Sequence, residues 1–563
     1  MKRGILLIIL LALATLLLAE NEDWLWVTSV KGYSFIYGCD ITVDNKDNIW
    51  ITGETINETI SINNLTIDGS GAFFAKGNPD NHWLWGGALG AYYNNSGYDR
   101  ISGTPHLIRT DEEGNVYMAG DCDNVLFGDP VSKPDNCISL LFIAKTDNEG
   151  NILWVNYACG HWFRLLDMVI DSSGNTYFIG SSGWDTVKFG DTTLENPRSL
   201  GMDFFFIVKI DPNGNWLWVK SLEASSSYSL ALDSKDNLIV TGWYDEPMND
   251  DWEKFKEPRP LLAKMDPEGK WLWTKSSDVY YGDYKVFDVK VDSSDNIIMV
   301  GYFTGMIDFG EVSLISGYSS NCVFIAKADS DGNWLWAQKT KAFGEGGFGT
   351  KLVVDASNNS YVLGSTNGTT YFGDDIVTNS GEDDLFIAKV DADGNWCWVK
   401  YAEGALKEIY VFDISPQMDI DSSGNIYIIG TYIDTVKFGN IILEPEGESS
   451  LYIAKLDTKD PVSVEDKLLT PLTTDLLCNY PNPFNPETQL QFSLAEPGLV
   501  KIEVYNLKGQ KVKTLTDNYY AQGHHTLVWN GSDDSDKQVS SGIYFYRMET
   551  DNFIKTRRMS LIK

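Results

Sequence analysis

The segments IDSSGNIYIIG (420–430) and LYIAKLD (451–457) close a repeating series, and the strand that should follow them stands instead at the other end of the chain, as DWLWVTSV (23–30). Working outward from these segments, the first motif is an apolar strand, an Asp-led turn, a second strand and a Gly. It occurs as VDNKDNIWITG (43–53), RTDEEGNVYMAG (109–120), IDSSGNTYFIG (170–180), LDSKDNLIVTG (232–242), VDSSDNIIMVG (291–301), VDASNNSYVLG (354–364) and the copy at 420–430. The second motif is interleaved with it: FFAKGNPDNHWLWGG (73–87), FIAKTDNEGNILWVN (142–156), FIVKIDPNGNWLWVK (206–220), LLAKMDPEGKWLWTK (261–275), FIAKADSDGNWLWAQ (324–338) and FIAKVDADGNWCWVK (386–400). A spacing of roughly 60 residues lies outside solenoid periods and suits the blades of a propeller.

The last unit has only the first half of the second motif. A ring of sheets must be sealed, and an uncovered sheet edge invites aggregation. The sequence therefore predicts an all-β fold, a seven-bladed β-propeller over residues 20–457, closed by Trp24–Leu25–Trp26 pairing beside LYIAKLD. In D-x-x-G-N, the Asp side chain can accept a bond from an N–H two residues on, and Gly supplies the positive φ that makes a tight hairpin. In W-L-W, strand alternation puts both Trp side chains on one face and Leu on the other, with both faces apolar between neighbouring blades. KFGD (188–191), DFGE (308–311) and KFGN (437–440) add a third recurring element.

These units resemble the bacterial seven-bladed β-propeller repeat family (SBBP repeats), over roughly residues 24–457. The resemblance implies the architecture and not an activity, since one fold hosts many functions.

Composition changes after Asp457. TKDPVSVEDKLLTPLTTD reads as a linker (458–475), followed by alternating strands over 476–563. Here YPNPFNP (Tyr480, Pro481, Asn482, Pro483, Phe484, Asn485, Pro486), the strand-turn-strand VYNLKGQKV, SGIYFY with Gly542 and Tyr544, and the terminal Lys563 fall in one order. The segment resembles the type A C-terminal sorting domain of type IX secretion cargo. That resemblance implies a small immunoglobulin-like β-sandwich recognised by the outer-membrane secretion translocon.

Lys2 and Arg3 followed by the apolar run Ile5–Leu18 and Ala19 read as a signal peptide over 1–19. The run is shorter than the ~20 apolar residues of a spanning helix, so no transmembrane helix is expected in the mature protein. The expected location is secreted or at the cell surface of a Gram-negative-type bacterium, by way of the periplasm. A formal net charge of -35 repels nucleic acid and anionic lipid and favours solubility.

DSDG (329–332) and DADG (391–394) look like calcium-loop fragments, but a Trp strand follows where further oxygen ligands belong. The repeated Asp, Gly and Trp suggest a quinoprotein dehydrogenase, but the Asp-to-Gly gap is too short and the chain has no vicinal Cys pair. A sialidase-like triad of arginines is not evident in Arg100, Arg109, Arg164, Arg198 and Arg259, which do not recur at equivalent positions. His82, His106 and His161 sit in no nucleophile motif. No catalytic residue, metal or cofactor is predicted. Among seven cysteines, Cys122 and Cys137 flank one insertion and can close it as a disulfide during export.

Both tight turns of a unit fall at one end of the blades, so the long connections emerge together at the other, where recognition usually resides. The expected ligand surface, for a glycan or a protein, comprises Tyr92, Tyr93, Trp243, Tyr244, Trp252, Tyr280 and Tyr281, drawn from AYYNNSGYD, WYDEPMNDDWEKFKEPRP and DVYYGDY. The leading reading is a non-catalytic binding scaffold. The alternative is a secreted polysaccharide- or peptide-degrading enzyme with its site on the long-loop face.

Overall fold

A computed structural model describes residues 23–562 apart from short stretches, the longest being 197–203, 245–258, 407–415 and 459–473. Residues 1–19, where the sequence leads one to expect a signal peptide, lie outside the described part. The chain divides into two units, 1–458 and 459–563. Among the described residues, no helix is long and apolar enough to cross a membrane.

The first unit is a seven-bladed propeller of four-stranded antiparallel sheets. Blade one comprises Ile36–Val43, Ile49–Thr55, Gly71–Gly77 and Trp83–Ala88. Blades two to six follow over 104–160, 163–222, 226–276, 284–339 and 341–406. Blade seven takes three strands from the C-terminal side, Gln417–Ile420, Ile426–Tyr432 and Ser450–Leu456, and its outermost strand, Trp24–Lys31, from the N-terminal side. The register runs Trp24↔Leu456, Trp26↔Lys455, Thr28↔Ile453, Val30↔Leu451. The ring is thus closed as the sequence predicts.

The turn Asp carries the expected local chemistry. Asp44, Asp111, Asp171, Asp233, Asp292, Asp355 and Asp421 each accept backbone N–H bonds from positions two and four residues on, at 2.7–3.1 Å. Gly114, Gly174 and Gly424 hold the positive φ; where the sequence lacks Gly, Asp47, Asp236, Asp295 and Asn358 do so, the residue types that best tolerate the left-handed region. The Lys of the F-x-A-K strand then reaches the same Asp, for example Lys264–Asp233 at 2.7 Å and Lys327–Asp292 at 2.8 Å. It also crosses to the next blade, as in Lys209 Nζ to Pro267 O at 3.2 Å and Lys264 Nζ to Ser330 O at 3.0 Å.

The W-L-W strands depart from simple alternation. A register shift between the two Trp positions recurs, as at Trp24/Trp26 and opposite Lys76/Gly77 and Lys327/Ala328. The intervening Leu is the extra residue of a β-bulge, which flips the second Trp to the opposite face. Trp334 therefore packs in the core shared by blades four and five, and Trp336 in the core shared by five and six. Trp24 and Trp26 divide in the same way between the six–seven and seven–one cores. The expectation that both Trp share one face is corrected accordingly. So is the apolar environment predicted for Leu: Leu25, Leu84, Leu153, Leu217, Leu272 and Leu335 are 48–53% exposed.

The F-G element forms short hairpins that lap onto the preceding blade. Thr186–Phe189 and Thr192–Glu195 extend blade two, and Val436–Phe438 and Ile441–Leu443 extend blade six. Phe189, Phe309 and Phe438 are fully buried against Trp216, Trp334 and Trp24, with ring centroids 5.3, 4.9 and 4.8 Å apart.

The second unit is a sandwich of two antiparallel sheets. One holds Asp475–Tyr480, Thr488–Leu494 and Gly523–Trp529; the other holds Lys511–Tyr520, Gly498–Asn506, Gly542–Glu549 and Ile554–Leu561. Leu490, Phe492, Val500, Ile502, Val504, Trp529, Tyr546 and Met548 fill the space between them.

Candidate functional site

The innermost strands of the blades line a central cavity of about 380 Å³. In blades one to six that strand carries a bulge, and in blades one, three and five the residue after it is Asp40, Asp167 and Asp288. Each of these carboxylates accepts its own following N–H and the N–H of the next blade. The pairs are Ile41 and Ile108 for Asp40, Met168 and Leu230 for Asp167, and Val289 and Leu352 for Asp288, all at 2.8–2.9 Å. Asp419 of blade seven likewise takes Ile420 N–H and, across the seam, Val43 N–H, both at 2.8 Å.

Cations and hydroxyls tie these acids into a chain. Arg109 bridges Asp40 at 2.5 Å and Asp167 at 3.0 Å. Ser229 Oγ lies 2.7 Å from both Asp167 and Asp288, and Lys290 sits 2.8 Å from Asp288. Burial opposes the charge on Arg109, but Asp40, Asp167 and Asp419 outweigh it and hold the guanidinium above its ordinary pKa. Burial likewise opposes the Asp167 anion, and Arg109, Lys290 and Lys351 together still bring its pKa below the usual carboxylate range. Asp419 goes the other way, because burial dominates its hydrogen bonds. The channel acids are fixed in geometry by two amide donors each, which suits them to holding blades together.

Near the long-connection end, His106 Nε2 meets Asp121 Oδ1. The Cys39 thiol is pushed well up by burial, with Glu54, Asp40 and Asp121 adding to the effect, the opposite of what a thiolate nucleophile requires. Among the described residues no cluster of His, Cys, Asp and Glu is arranged to hold a metal ion.

Six of the aromatics expected at a ligand surface fall on three strand segments. Trp243 and Tyr244 belong to the strand Leu238–Tyr244, paired with Pro260 and Arg259. Their β-propensity extends the blade beyond the Gly where the sequence reading began a connection. Tyr92 and Tyr93 lie on a separate hairpin, Ala91–Asn95 with Tyr98–Ser102. Tyr280 and Tyr281 lie on Asp278–Tyr281, which receives the lapping hairpin of blade five. Trp252 falls outside the described residues.

Sequence reasoning missed a different aromatic surface. The first two strands of blade six are unusually long, Lys341–Val354 and Ser360–Phe372, and a short third strand, Asp375–Thr378, pairs with the second. Their extension presents Phe343 and Ile376, each 53% exposed. The rings of Phe343 and Tyr371 meet edge to face at 5.8 Å, and Lys341 Nζ lies 4.9 Å and 5.7 Å from their centroids. The signal was present as alternation in K-A-F and T-T-Y-F beside Gly344, Gly346 and Gly368, which hold positive φ where the strands bend.

The cysteine pairing also differs. Cys137 bonds Cys159, with Cα atoms 5.6 Å apart, rather than Cys122. Cys122 and Cys159 flank Leu140 on opposite sides, one on each neighbouring strand, and Cys137 approaches from the Cys159 side.

In the sandwich, Phe484 is 2% exposed and packs 5.5 Å from Trp529. Its N–H donates to Ser560 O, and its carbonyl accepts from Ile562 N–H, both at 3.0 Å. Tyr544 lies 5.2 Å from Trp529 and donates its hydroxyl to Ser540 O at 2.7 Å. Asn485 and Pro486 are exposed, whereas Pro481–Pro483 and Lys563 lie outside the described residues. Phe484→Ala is expected to cost the sandwich about 3–5 kcal/mol. Calorimetry of the full chain should show one transition lowered and the propeller transition unmoved.

Residues 484–552 match the family described as FlgD Ig-like domain, in keeping with the sandwich. An uncharacterized WD repeat-containing protein, L264 of Acanthamoeba polyphaga mimivirus, is 24% identical over 304 residues, covering 42% of this chain. The chain spans only 22% of that relative's length. Similar solved structures include PorZ, a surface component of the type-IX secretion system of Porphyromonas gingivalis, at 11% identity and TM-score 0.26, covering 93% of this chain and 75% of that one. A polysaccharide lyase of family PL25, an ulvan lyase, is 10% identical with TM-score 0.39, covering 74% and 96%. The Dos1 propeller is 8% identical with TM-score 0.33, covering 77% and 93%.

Proposed function

We propose that this chain is an exported, non-catalytic binding propeller of the SBBP-repeat kind, carried to the cell surface or beyond by a C-terminal sandwich that acts as a type IX sorting domain. The observation that carries the binding reading is the engagement of all four channel carboxylates by two backbone N–H groups each. Each carboxylate takes one N–H from its own strand and one from another blade, and Arg109, Ser229 and Lys290 take up further acceptor positions on Asp40, Asp167 and Asp288, an arrangement that suits a tie between blades better than a general acid or base. The sorting reading is supported by the ordered motifs from Tyr480 to Lys563 on a domain of immunoglobulin-like form. The ligand, a glycan or a protein, would meet the long-connection face.

In a bacterium with a type IX system, the full chain is expected outside the cell, and a chain ending at residue 475 is expected to stay in the periplasm. Equal export of both would remove the sorting role. Turnover of any member of a polysaccharide and peptide panel by the purified protein would replace the binding reading with the enzymatic one.

A further inference from the structure

The extended strands of blade six form a small open sheet whose two faces differ sharply. One face is built from Thr370, Phe372 and Val377, which are 0–1% exposed. The register places Lys341 opposite Tyr371, Phe343 opposite Thr369, Ile376 beside Tyr371 and Thr378 beside Thr369. Because successive side chains alternate, these six residues share the other face.

That face combines an apolar stripe, Phe343–Tyr371–Ile376, with hydroxyls at Thr369 and Thr378, whose Oγ1 atoms lie 3.4 Å apart. The stripe crosses three strands, hence two inter-strand spacings or about 10 Å. A stable protein partner needs on the order of 800 Å² per side, far more than three side chains present. A stripe of this width matches a short run of sugar rings.

Charge narrows the class further. Glu345, Asp374 and Asp375 are exposed around the rim and disfavour an anionic ligand. The Lys341 ammonium already lies over both rings and disfavours a cationic one. An uncharged pyranose instead offers C–H groups to the negative ring face of Phe343, and hydroxyls to Thr369, Thr378 and Lys341.

We propose that this platform on blade six binds a neutral glycan, with Phe343 as the stacking residue. The proposal rests on the binding reading given above and names its ligand class. Phe343 is half exposed and belongs to none of the buried core clusters, so its substitution separates binding from folding.

The test uses the full mature chain and its Phe343→Ala and Phe343→Trp variants. Titrations with neutral glucan and mannan oligosaccharides, and with polyuronate and chitosan oligosaccharides of matched length, would run to about 10 mM. The neutral sugars are expected to bind, the Ala variant to bind at least tenfold more weakly, and the Trp variant to retain or improve binding, all at an unchanged melting temperature. If the Ala variant binds a neutral glycan as the wild type does, the platform is wrong while the binding reading stands. Binding of only the charged sugars, or of none, also overturns the platform. Cleavage of any of them would overturn the binding reading itself.

Discussion

Deleting residues 20–31 is expected to abolish cooperative unfolding of the propeller and to make the chain aggregate. The segment supplies the outermost strand of blade seven, in register with Ser450–Leu456 from Trp24↔Leu456 to Val30↔Leu451. It also serves two inter-blade cores at once. Trp24 packs 4.8 Å from Phe438 in the six–seven core, and Trp26 donates its indole N–H to Pro79 O of blade one at 3.1 Å. Thr28 adds a bond to Asn81 at 2.8 Å, and Val30 is fully buried.

Two Trp rings of roughly 200 Å² each, at about 25 cal/mol per Å², represent an upper estimate of about 10 kcal/mol. Net stabilities of domains are about 5–15 kcal/mol, so the loss is of the same size as the whole. The deletion also bares the edge of Ser450–Leu456, a template for pairing with another chain. Calorimetry and gel filtration would show the effect, and a synthetic peptide spanning residues 20–32 should restore part of the transition. A truncated chain that remained monomeric with an unchanged melting temperature would mean that the ring does not depend on this strand.

What was legible in the sequence is local chemistry, and what was not depends on partners distant in the chain. The Asp44, Asp111 and Asp171 turns could be read because the Asp, the positive-φ position and the Asn lie within five residues and bond each other. The closing strand could be read because a missing W-L-W at one end and a spare one at the other are complementary in count. The sides taken by Trp334 and Trp336 could not, because alternation assumes an unbroken register and the bulge at Leu335 is set by pairing with Lys327 and Ala328. Phe189 and Phe438 were seen to recur, but their role as plugs in lapping hairpins is fixed by neighbouring blades. At the candidate site, Trp243 and Tyr244 read as loop residues because the repeated motif ends at Gly242. Phe343 and Tyr371 were hidden for the converse reason: glycines at 344, 346 and 368 disguised a sheet as a connection.

Asp292→Asn is expected to destabilise the propeller by about 3–5 kcal/mol, the cost of leaving one partner of a buried ion pair uncompensated. The Asp292 and Lys327 side chains are 0% and 6% exposed and meet at 2.8 Å. Burial alone would raise the Asp292 carboxyl, but the bonds from Lys327, from the Asn296 side chain and from the Asn296 and Ser294 amides outweigh it and hold the pKa below its ordinary value. Asp233 with Lys264 follows the same balance. A carboxyl depressed in the folded state binds fewer protons there than in the unfolded chain. Its stabilisation is therefore complete above the unfolded value of about 3.9 and is lost as pH falls through the folded value. The wild type should weaken on acidification below about pH 4, and Asp292→Asn should show a shallower acid limb because one of the responsible groups no longer titrates. Adding Lys327→Met removes the stranded charge and should recover part of the loss, a coupling that a double-mutant cycle measures directly. If the single variant melts like the wild type at neutral pH and loses stability identically in acid, the Asp–Lys pair is not what anchors the turn to its neighbour.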